Sequence, residues 1–212
     1  MYPVNLKMAG MPCLVIGGGH VALRKIRVLL EEGASVTVAA PAVSEEMERL
    51  FLRGDILWRK ETYKDGMCDG FFLVITAAGN KEIAESIGRQ AKCTGFLYNA
   101  ADFPSEGNCH IPARIKKDGI MITVSTEGRS PAMAKYVKNW LAGQIPSGYG
   151  LWLDKVSVLR ESLKGKIEKP EHREMFWRMA FSREIMELVI QGNLDQAEEC
   201  LRRGISSFRS ES

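Results

Sequence analysis

An apolar run that ends in three consecutive glycines constrains this sequence more than any other feature. Residues 12–16 read Pro-Cys-Leu-Val-Ile, residues 17–19 are all glycine, and a helical pattern of apolar side chains follows. A strand, a glycine turn and a helix in this order bring free N–H groups and the positive end of a helix dipole to one point, which suits a phosphate group. Gly17 would permit the tight turn, and Gly19 would let a pyrophosphate approach the backbone closely. Ala22 would be the small residue where the helix packs on the strand.

The glycine loop predicts a dinucleotide site, with a plain strand-to-helix turn as the alternative. Three successive glycines cost backbone entropy, and the sequence shows no packing reason for them, which favours binding. An acidic residue about 20 positions further on normally holds the ribose hydroxyls. Here residues 39–44 read Ala-Ala-Pro-Ala-Val-Ser, so we expect backbone groups or Ser44 to meet the ribose. Arg24 and Lys25 would suit a 2′-phosphate, and solvated positions on the first helix are the other interpretation.

Composition narrows the class of protein. The 212 residues carry a net charge of +3 with basic and acidic residues interspersed, so nucleic acid is not indicated as a partner. We recognise no signal peptide and no run of about 20 apolar residues that would span a membrane. The five cysteines are far apart and form no Cys-x-x-Cys pair, which is typical of reduced thiols in the cytoplasm. Since the three histidines have no ligand spacing, we expect no metal site.

Up to about residue 100, short apolar runs alternate with amphipathic stretches. This alternation predicts an α/β fold, a Rossmann-like parallel sheet with crossover helices. The predicted strands are 12–16, 35–39, 55–60, 71–76 and 95–99. The predicted helices between them are 20–32, 43–53 and 80–93, with Ser44 and Asn80 as N-caps.

Beyond the sheet the pattern changes to a hairpin and then to helices. Residues 109–115 and 120–125 flank an Asp-Gly turn, which predicts two antiparallel strands. Ser130 followed by a proline then opens a helix over 131–144. Further helices are predicted at 149–164, 171–190 and 194–203, with a frayed polar tail after 206. We therefore divide the chain into three parts: a dinucleotide-binding domain (1–113), a hairpin and helix segment (114–148) and a small helical C-terminal domain (149–212).

Ligands of open α/β sheets bind outside the carboxyl ends of the strands, so the residues just after each strand are the candidates for chemistry. At these positions only Asp102 carries a carboxylate, and we interpret it as a general acid or base, with a turn before Pro104 as the alternative. Thr76 and Ala77 follow the fourth strand and are candidate cofactor contacts. The polar loop 125–131 is a second candidate, because its N–H groups and Arg129 could receive a carboxylate-bearing ligand, with the ordinary start of a capped helix as the alternative.

Four segments in order carry a resemblance to a known family: Gly-Gly-Gly-His-Val-Ala-Leu-Arg-Lys at 17–25, Tyr-Asn-Ala-Ala-Asp at 98–102, Ile-Pro-Ala at 111–113 and the loop 125–131. Together they resemble the siroheme synthase N-terminal family over nearly the whole chain. This family contains precorrin-2 dehydrogenases, some of which also act as sirohydrochlorin ferrochelatases.

The resemblance implies a homodimeric, NAD-dependent enzyme that oxidises the tetrapyrrole precorrin-2 to sirohydrochlorin. It implies that Asp102 is the essential aspartate and that residues 114–148 form the dimerisation region. The implied NAD contacts are His20, Val21, Pro41 and Ala42, beside Gly17 and Gly19. Residues that could bind the carboxylates of the substrate are Arg114, Ser125, Thr126, Arg129 and Ser130, with Lys116, Lys117, Lys135 and Lys138 as further candidates.

Two alternatives stay open at this point. A non-catalytic protein that senses NAD or binds a tetrapyrrole would carry the same glycine loop and hairpin. An additional ferrochelatase step is possible within the family, and the residues by themselves do not decide it.

Overall fold

The computed structural model describes residues 1–163 and 170–207, and this part of the chain forms two compact units. The first unit is Met1–Ile111 and the second is Pro112–Ser212. The predicted end of the helix at 164 and most of the polar tail lie outside the described residues. The proposed boundary between 148 and 149 stays a prediction.

A five-stranded parallel sheet forms the centre of the first unit. Its strand order is β3-β2-β1-β4-β5, and every neighbouring pair is parallel. The strands are β1 (Pro12–Ile16), β2 (Ser35–Ala39), β3 (Leu57–Arg59), β4 (Leu73–Thr76) and β5 (Leu97–Ala100). The crossover helices are α1 (His20–Glu31), α2 (Glu45–Leu52) and α3 (Lys81–Thr94), and a short 3₁₀ helix covers Pro104–Glu106. The predicted Rossmann-like fold is confirmed.

Strands β1, β2, β4 and β5 are buried on both faces of the sheet, as their β-branched and apolar residues require, whereas the edge strand β3 is largely exposed. Val15, Val38 and Ile75 belong to one hydrophobic cluster, on which the buried side chains of α1 and α2 pack. Leu14, Val74 and Tyr98 belong to the opposite cluster with buried residues of α3. Because these neighbouring strands are parallel, the carboxyl ends of β1, β2, β4 and β5 lie side by side.

The second unit begins with a two-stranded antiparallel hairpin, β6 (Ala113–Lys117) and β7 (Ile120–Val124). Asp118 and Gly119 form its turn with φ of 49° and 74°, as the Asp-Gly pair predicts. The prediction that the first strand starts at Cys109 is wrong. The N–H groups of Asn108 and Cys109 instead donate to the carbonyl of Tyr98 and cover the outer edge of β5.

The described part of the second unit also contains five helices: α4 (Pro131–Gln144), α5 (Tyr149–Ser162), α6 (Pro170–Ala180), α7 (Arg183–Ile190) and α8 (Leu194–Ser207). The helices α5 to α8 enclose their own core around Trp152, Phe176 and Leu201. The single helix predicted over 171–190 is wrong, because Ser182 ends it. The Ser182 hydroxyl accepts a hydrogen bond from the N–H of Ile185 and so starts α7 as a separate helix.

Candidate functional site

Two of the three glycines are required by packing within the protein. Gly17 has φ of +129°, and its N–H donates to the Ala39 carbonyl at 3.0 Å. A Cβ at Gly17 would lie 2.8 Å from the carbonyl carbon of Ala77 and closer still to its oxygen. A Cβ at Gly18 would meet the carbonyl of Ala42 in the same way. The expectation that the glycines have no packing reason is therefore wrong for Gly17 and Gly18.

Gly19 is different, because a Cβ there would meet no protein atom within 4 Å. It is the N-cap of α1 in an extended conformation, and no side chain caps this helix. The first N–H groups of α1 therefore point into open space at the positive end of the helix dipole. This arrangement leaves room for a phosphate and provides its hydrogen-bond donors.

A cavity of about 390 Å³ opens beside the glycine loop at the carboxyl ends of β1, β2 and β4. Of the predicted cofactor contacts, five line this cavity: Gly17, Gly19, Pro41, Ala42 and Ala77. Its volume lies in the ordinary range of cofactor and ligand sites. The protein groups present thus fit a dinucleotide, with apolar walls for the bases and a helix N-terminus for the pyrophosphate.

Three predicted cofactor contacts do not line the cavity. His20 and Val21 form the exposed first turn of α1. The Thr76 side chain is buried, and its hydroxyl hydrogen-bonds the Tyr98 hydroxyl at 2.9 Å, so it faces the protein interior. Burial raises the pKa of Tyr98 to about 12, which keeps this phenol neutral. The roles of these three residues toward a cofactor stay predictions.

Gly18, Ala40 and Ala78 also line the cavity and lie in the segments after the strands where the sequence places candidates for chemistry, whereas three lining residues were missed: Thr62, Tyr63 and Ile83. Thr62 and Tyr63 follow β3, whose short strand was predicted too long, and Ile83 lies in the first turn of α3. The sequence signal that could have found them is the general rule that every parallel strand delivers its following residue to the same edge.

Among the described residues that line the cavity, none carries a carboxylate that could bond the ribose. At the end of β2 the Ala40 carbonyl already accepts the indole N–H of Trp58 at 2.9 Å. Ser44 takes the N-cap position of α2, but its hydroxyl makes no capping bond and is buried without a partner in the described part of the chain. The expectation that backbone groups or Ser44 meet the ribose stays open.

Asp102 lies two residues after β5 and is exposed. Its Oδ2 accepts a hydrogen bond from the N–H of Gly79 at 2.8 Å. Gly79 belongs to the loop between β4 and α3, and Ala77 and Ala78 of the same loop line the cavity. The predicted catalytic carboxylate and the predicted cofactor cavity are therefore joined by one short loop.

The second unit contains the predicted substrate loop. Its hydroxyls are used within the loop: Ser125 Oγ accepts from the Glu127 N–H at 3.1 Å, and Thr126 Oγ1 bonds both backbone groups of Ser130 at 3.0 Å. The Ser130 hydroxyl caps α4 by accepting from the Met133 N–H at 3.1 Å, as predicted. Arg129 donates through Nε to the Thr126 carbonyl at 3.1 Å. These contacts define the conformation of the loop. Its role in substrate binding stays a prediction.

Within residues 1–163 and 170–207, no three His, Cys, Asp or Glu side chains come together as a metal site. Over the same ranges we find no helix with the length and apolar character needed to cross a bilayer.

Comparison with known proteins decides the family. A family model described as "Putative NAD(P)-binding" matches residues 4–113, which is more than half of the chain. A second model, described as "Sirohaem synthase dimerisation region", matches residues 148–205. This chain belongs to the siroheme synthase N-terminal family. The first unit corresponds to the NAD(P)-binding model. The model of the dimerisation region matches residues 148–205, whereas the sequence resemblance implied residues 114–148.

Individual relatives agree with this placement. The siroheme synthase of Methylococcus capsulatus is 33% identical over 199 residues, which cover 94% of this chain and 42% of that protein. The siroheme synthase of Methylobacillus flagellatus is 28% identical over 204 residues, covering 96% of this chain and 44% of that protein. The chain thus spans less than half the length of these curated relatives. Among solved structures, the precorrin-2 dehydrogenase SirC superposes with a TM-score of 0.75 at 26% identity, covering 94% of this chain and 100% of SirC.

Proposed function

We propose that this protein catalyses the NAD-dependent oxidation of precorrin-2 to sirohydrochlorin, a dehydrogenation in siroheme biosynthesis. The observation that carries the proposal is the position of Asp102, a carboxylate that bonds the same loop that lines the dinucleotide cavity. Similarity to SirC and to siroheme synthases over 94% of the chain supports the choice of substrate.

The chemistry divides between the cofactor and the protein. NAD, when bound, accepts a hydride from the macrocycle. Asp102 accepts the proton that leaves with the hydride, which balances the loss of two hydrogen atoms from the substrate. An exposed carboxylate suits this task because it can pass the proton on to solvent. General base assistance of this kind contributes about 10² to 10⁴ in rate.

The first unit supplies the cofactor contacts in this proposal. The uncapped N-terminus of α1 at Gly19 would hold the pyrophosphate, and His20 and Val21 in the same turn would be further contacts. Pro41 and Ala42 line the cavity and would contact the adenosine, and Thr76 and Ala77 lie at the end of β4, next to the loop that bonds Asp102. Because no carboxylate faces the ribose, binding relies on the pyrophosphate and on apolar contacts with the bases.

We place the substrate carboxylates on basic residues of the second unit. The stretch 113–144 contains six basic residues and two acidic ones, a concentrated positive charge in a chain whose net charge is only +3. Arg114 and Arg129 are the first candidates, and Ser125, Thr126 and Ser130 shape the loop that contains Arg129. A local excess of positive charge of this kind attracts a polycarboxylate and raises its local concentration.

A homodimer in the cytoplasm is part of the proposal. The match to a dimerisation region over 148–205 supports it. On α4, the apolar side chains of Met133, Tyr136 and Trp140 are 54%, 69% and 58% exposed and recur at helical spacing. An exposed apolar face of this size is typical of a contact surface. Five free cysteines agree with a reducing compartment.

The test is anaerobic incubation of the purified protein with precorrin-2 and NAD while the absorbance of sirohydrochlorin is recorded. We expect turnover by the wild type and a loss of about 10² to 10⁴ in Asp102→Asn, since the amide cannot accept a proton. Binding of NAD and precorrin-2 without turnover by the wild type would favour the non-catalytic sensor. Adding ferrous iron to the product mixture tests the ferrochelatase alternative separately.

A further inference from the structure

The loop between β4 and α3, residues 77–80, is fastened at both of its ends. The Ala77 N–H donates to the Ile16 carbonyl at 2.9 Å, which continues the pairing of β4 with β1. At the other end, the Asn80 side chain accepts from the Ile83 N–H at 3.0 Å and caps α3. These contacts are independent of Asp102, so the loop has a fixed start and a fixed end.

The middle of the loop is held by Asp102. Gly79 has φ of +65°, is exposed, and a Cβ there would meet no atom within 4 Å. Packing therefore does not define its conformation, and glycine itself permits many others. The hydrogen bond from the Gly79 N–H to Asp102 Oδ2, at 2.8 Å, is the contact that fixes this N–H in the observed direction.

The same loop forms one wall of the dinucleotide cavity. Ala77 and Ala78 line the cavity, and the Ala77 carbonyl packs against Gly17 of the glycine loop. A shift at Gly79 would move Ala78, its neighbour in the chain, and so change the shape of the cavity. Asp102 reaches this wall from β5 because β4 and β5 are adjacent and parallel, with Thr76 opposite Ala100.

We infer that Asp102 is also a positioning residue for the cofactor: as a hydrogen-bond acceptor it holds the loop 77–80 in the conformation that binds NAD. The inference rests on the proposed function for the identity of the ligand, and it assigns Asp102 a second role in the free protein. Without the acceptor, the loop samples other conformations, and the apparent affinity falls by the fraction of molecules in the competent one.

Two substitutions separate this role from that of a proton acceptor. Asp102→Asn keeps an oxygen that can accept from the Gly79 N–H but cannot take a proton at neutral pH. Asp102→Ala removes the acceptor altogether. We expect the Kd of NAD, measured by calorimetric titration without substrate, to stay within about twofold of wild type in Asp102→Asn and to rise about fivefold to tenfold in Asp102→Ala.

A direct readout accompanies the titration. Amide hydrogen exchange at Gly79 should be slow in the wild type and in Asp102→Asn, and at least about tenfold faster in Asp102→Ala, because the N–H then loses its acceptor. Glu82→Ala is the matched control, since it removes an exposed carboxylate from the first turn of α3. This control should leave both the Kd and the exchange of Gly79 unchanged.

Equal NAD affinities in Asp102→Asn and Asp102→Ala would overturn the inference, and so would unchanged exchange at Gly79. A purely electrostatic effect of Asp102 predicts that both variants bind the dinucleotide more tightly and to the same degree. Thermal unfolding of each variant checks that the fold is intact. Because these experiments need no precorrin-2, a failure of the proposed dehydrogenase reaction in the wild type would leave this result interpretable by itself.

Discussion

Substituting alanine for Gly17 or for Gly19 should have opposite effects on stability and on binding, although the two glycines lie in one turn. At Gly17 the new Cβ would lie 2.8 Å from the carbonyl carbon of Ala77, at a backbone φ of +129°. Contacts below 3.0 Å force atoms to move. The atoms here are backbone atoms just after β1 and β4, and a shift of Ala77 would disturb its hydrogen bond to the Ile16 carbonyl, which continues the pairing of these two strands.

The magnitude for Gly17→Ala follows from two contributions. A non-glycine residue at a sparsely populated φ costs about 1 to 3 kcal/mol. Forcing an extra carbon into a well-packed region costs a further ~1 to 3 kcal/mol. We therefore expect the free energy of unfolding to fall by about 2 to 6 kcal/mol, which is a large part of the stability of a typical domain.

For Gly19→Ala the expectation is reversed. The backbone at Gly19 has φ of −92° and ψ of −176°, which alanine adopts without strain, and the Cβ meets nothing in the protein. Stability should stay within about 1 kcal/mol of wild type, because the restriction of the unfolded chain by alanine offsets the poorer N-cap that alanine makes. The Cβ would, however, fill the space above the first turn of α1, so the Kd of NAD should rise more than about tenfold.

Urea denaturation and calorimetric titration of NAD measure the two quantities on the same samples. Wild-type stability in Gly17→Ala would refute the packing argument. Wild-type NAD affinity in Gly19→Ala would refute the position of the pyrophosphate over this residue. Gly143→Ala is a matched control, since it adds a Cβ that meets no atom within 4 Å at an exposed position of α4, away from the glycine loop.

Three further predictions concern other parts of the chain. Burial raises the pKa of the Cys13 and Cys68 thiols to about 11, so at pH 8 roughly one thiol in a thousand is ionised. A thiol reagent should therefore label the exposed Cys93 first. Labelling of Cys13 and Cys68 should need denaturant or a much higher pH. Ser130→Ala should lower the free energy of unfolding of the second unit by about 1 kcal/mol, with Ser130→Asp close to wild type in the same urea titration. Trp140→Glu should shift the protein from dimer to monomer in sedimentation velocity, and an unchanged dimer would exclude the α4 face as a contact.

The fold of the first unit could be predicted well because its signals are local. Strands 12–16 and 35–39 agree with the structure residue for residue, since an apolar run followed by glycine or proline is readable without tertiary contacts. The helix α4 was predicted with its observed bounds, because Ser130 and the proline after it encode its first turn. The break at Ser182 was missed, since apolar side chains on both sides continue the helical pattern.

The sequence by itself determined the elements of this protein, the glycine turn after β1 and the residues that follow each strand. Only the tertiary structure decided which of these residues share a cavity, why Gly17 and Gly18 must be glycine, and that Asp102 bonds Gly79 across 23 positions of the chain. The physical reason is the range of the interactions. Turns, caps and periodicity act within a few residues, whereas close approach between backbones and the contacts of a side chain depend on which strands lie side by side.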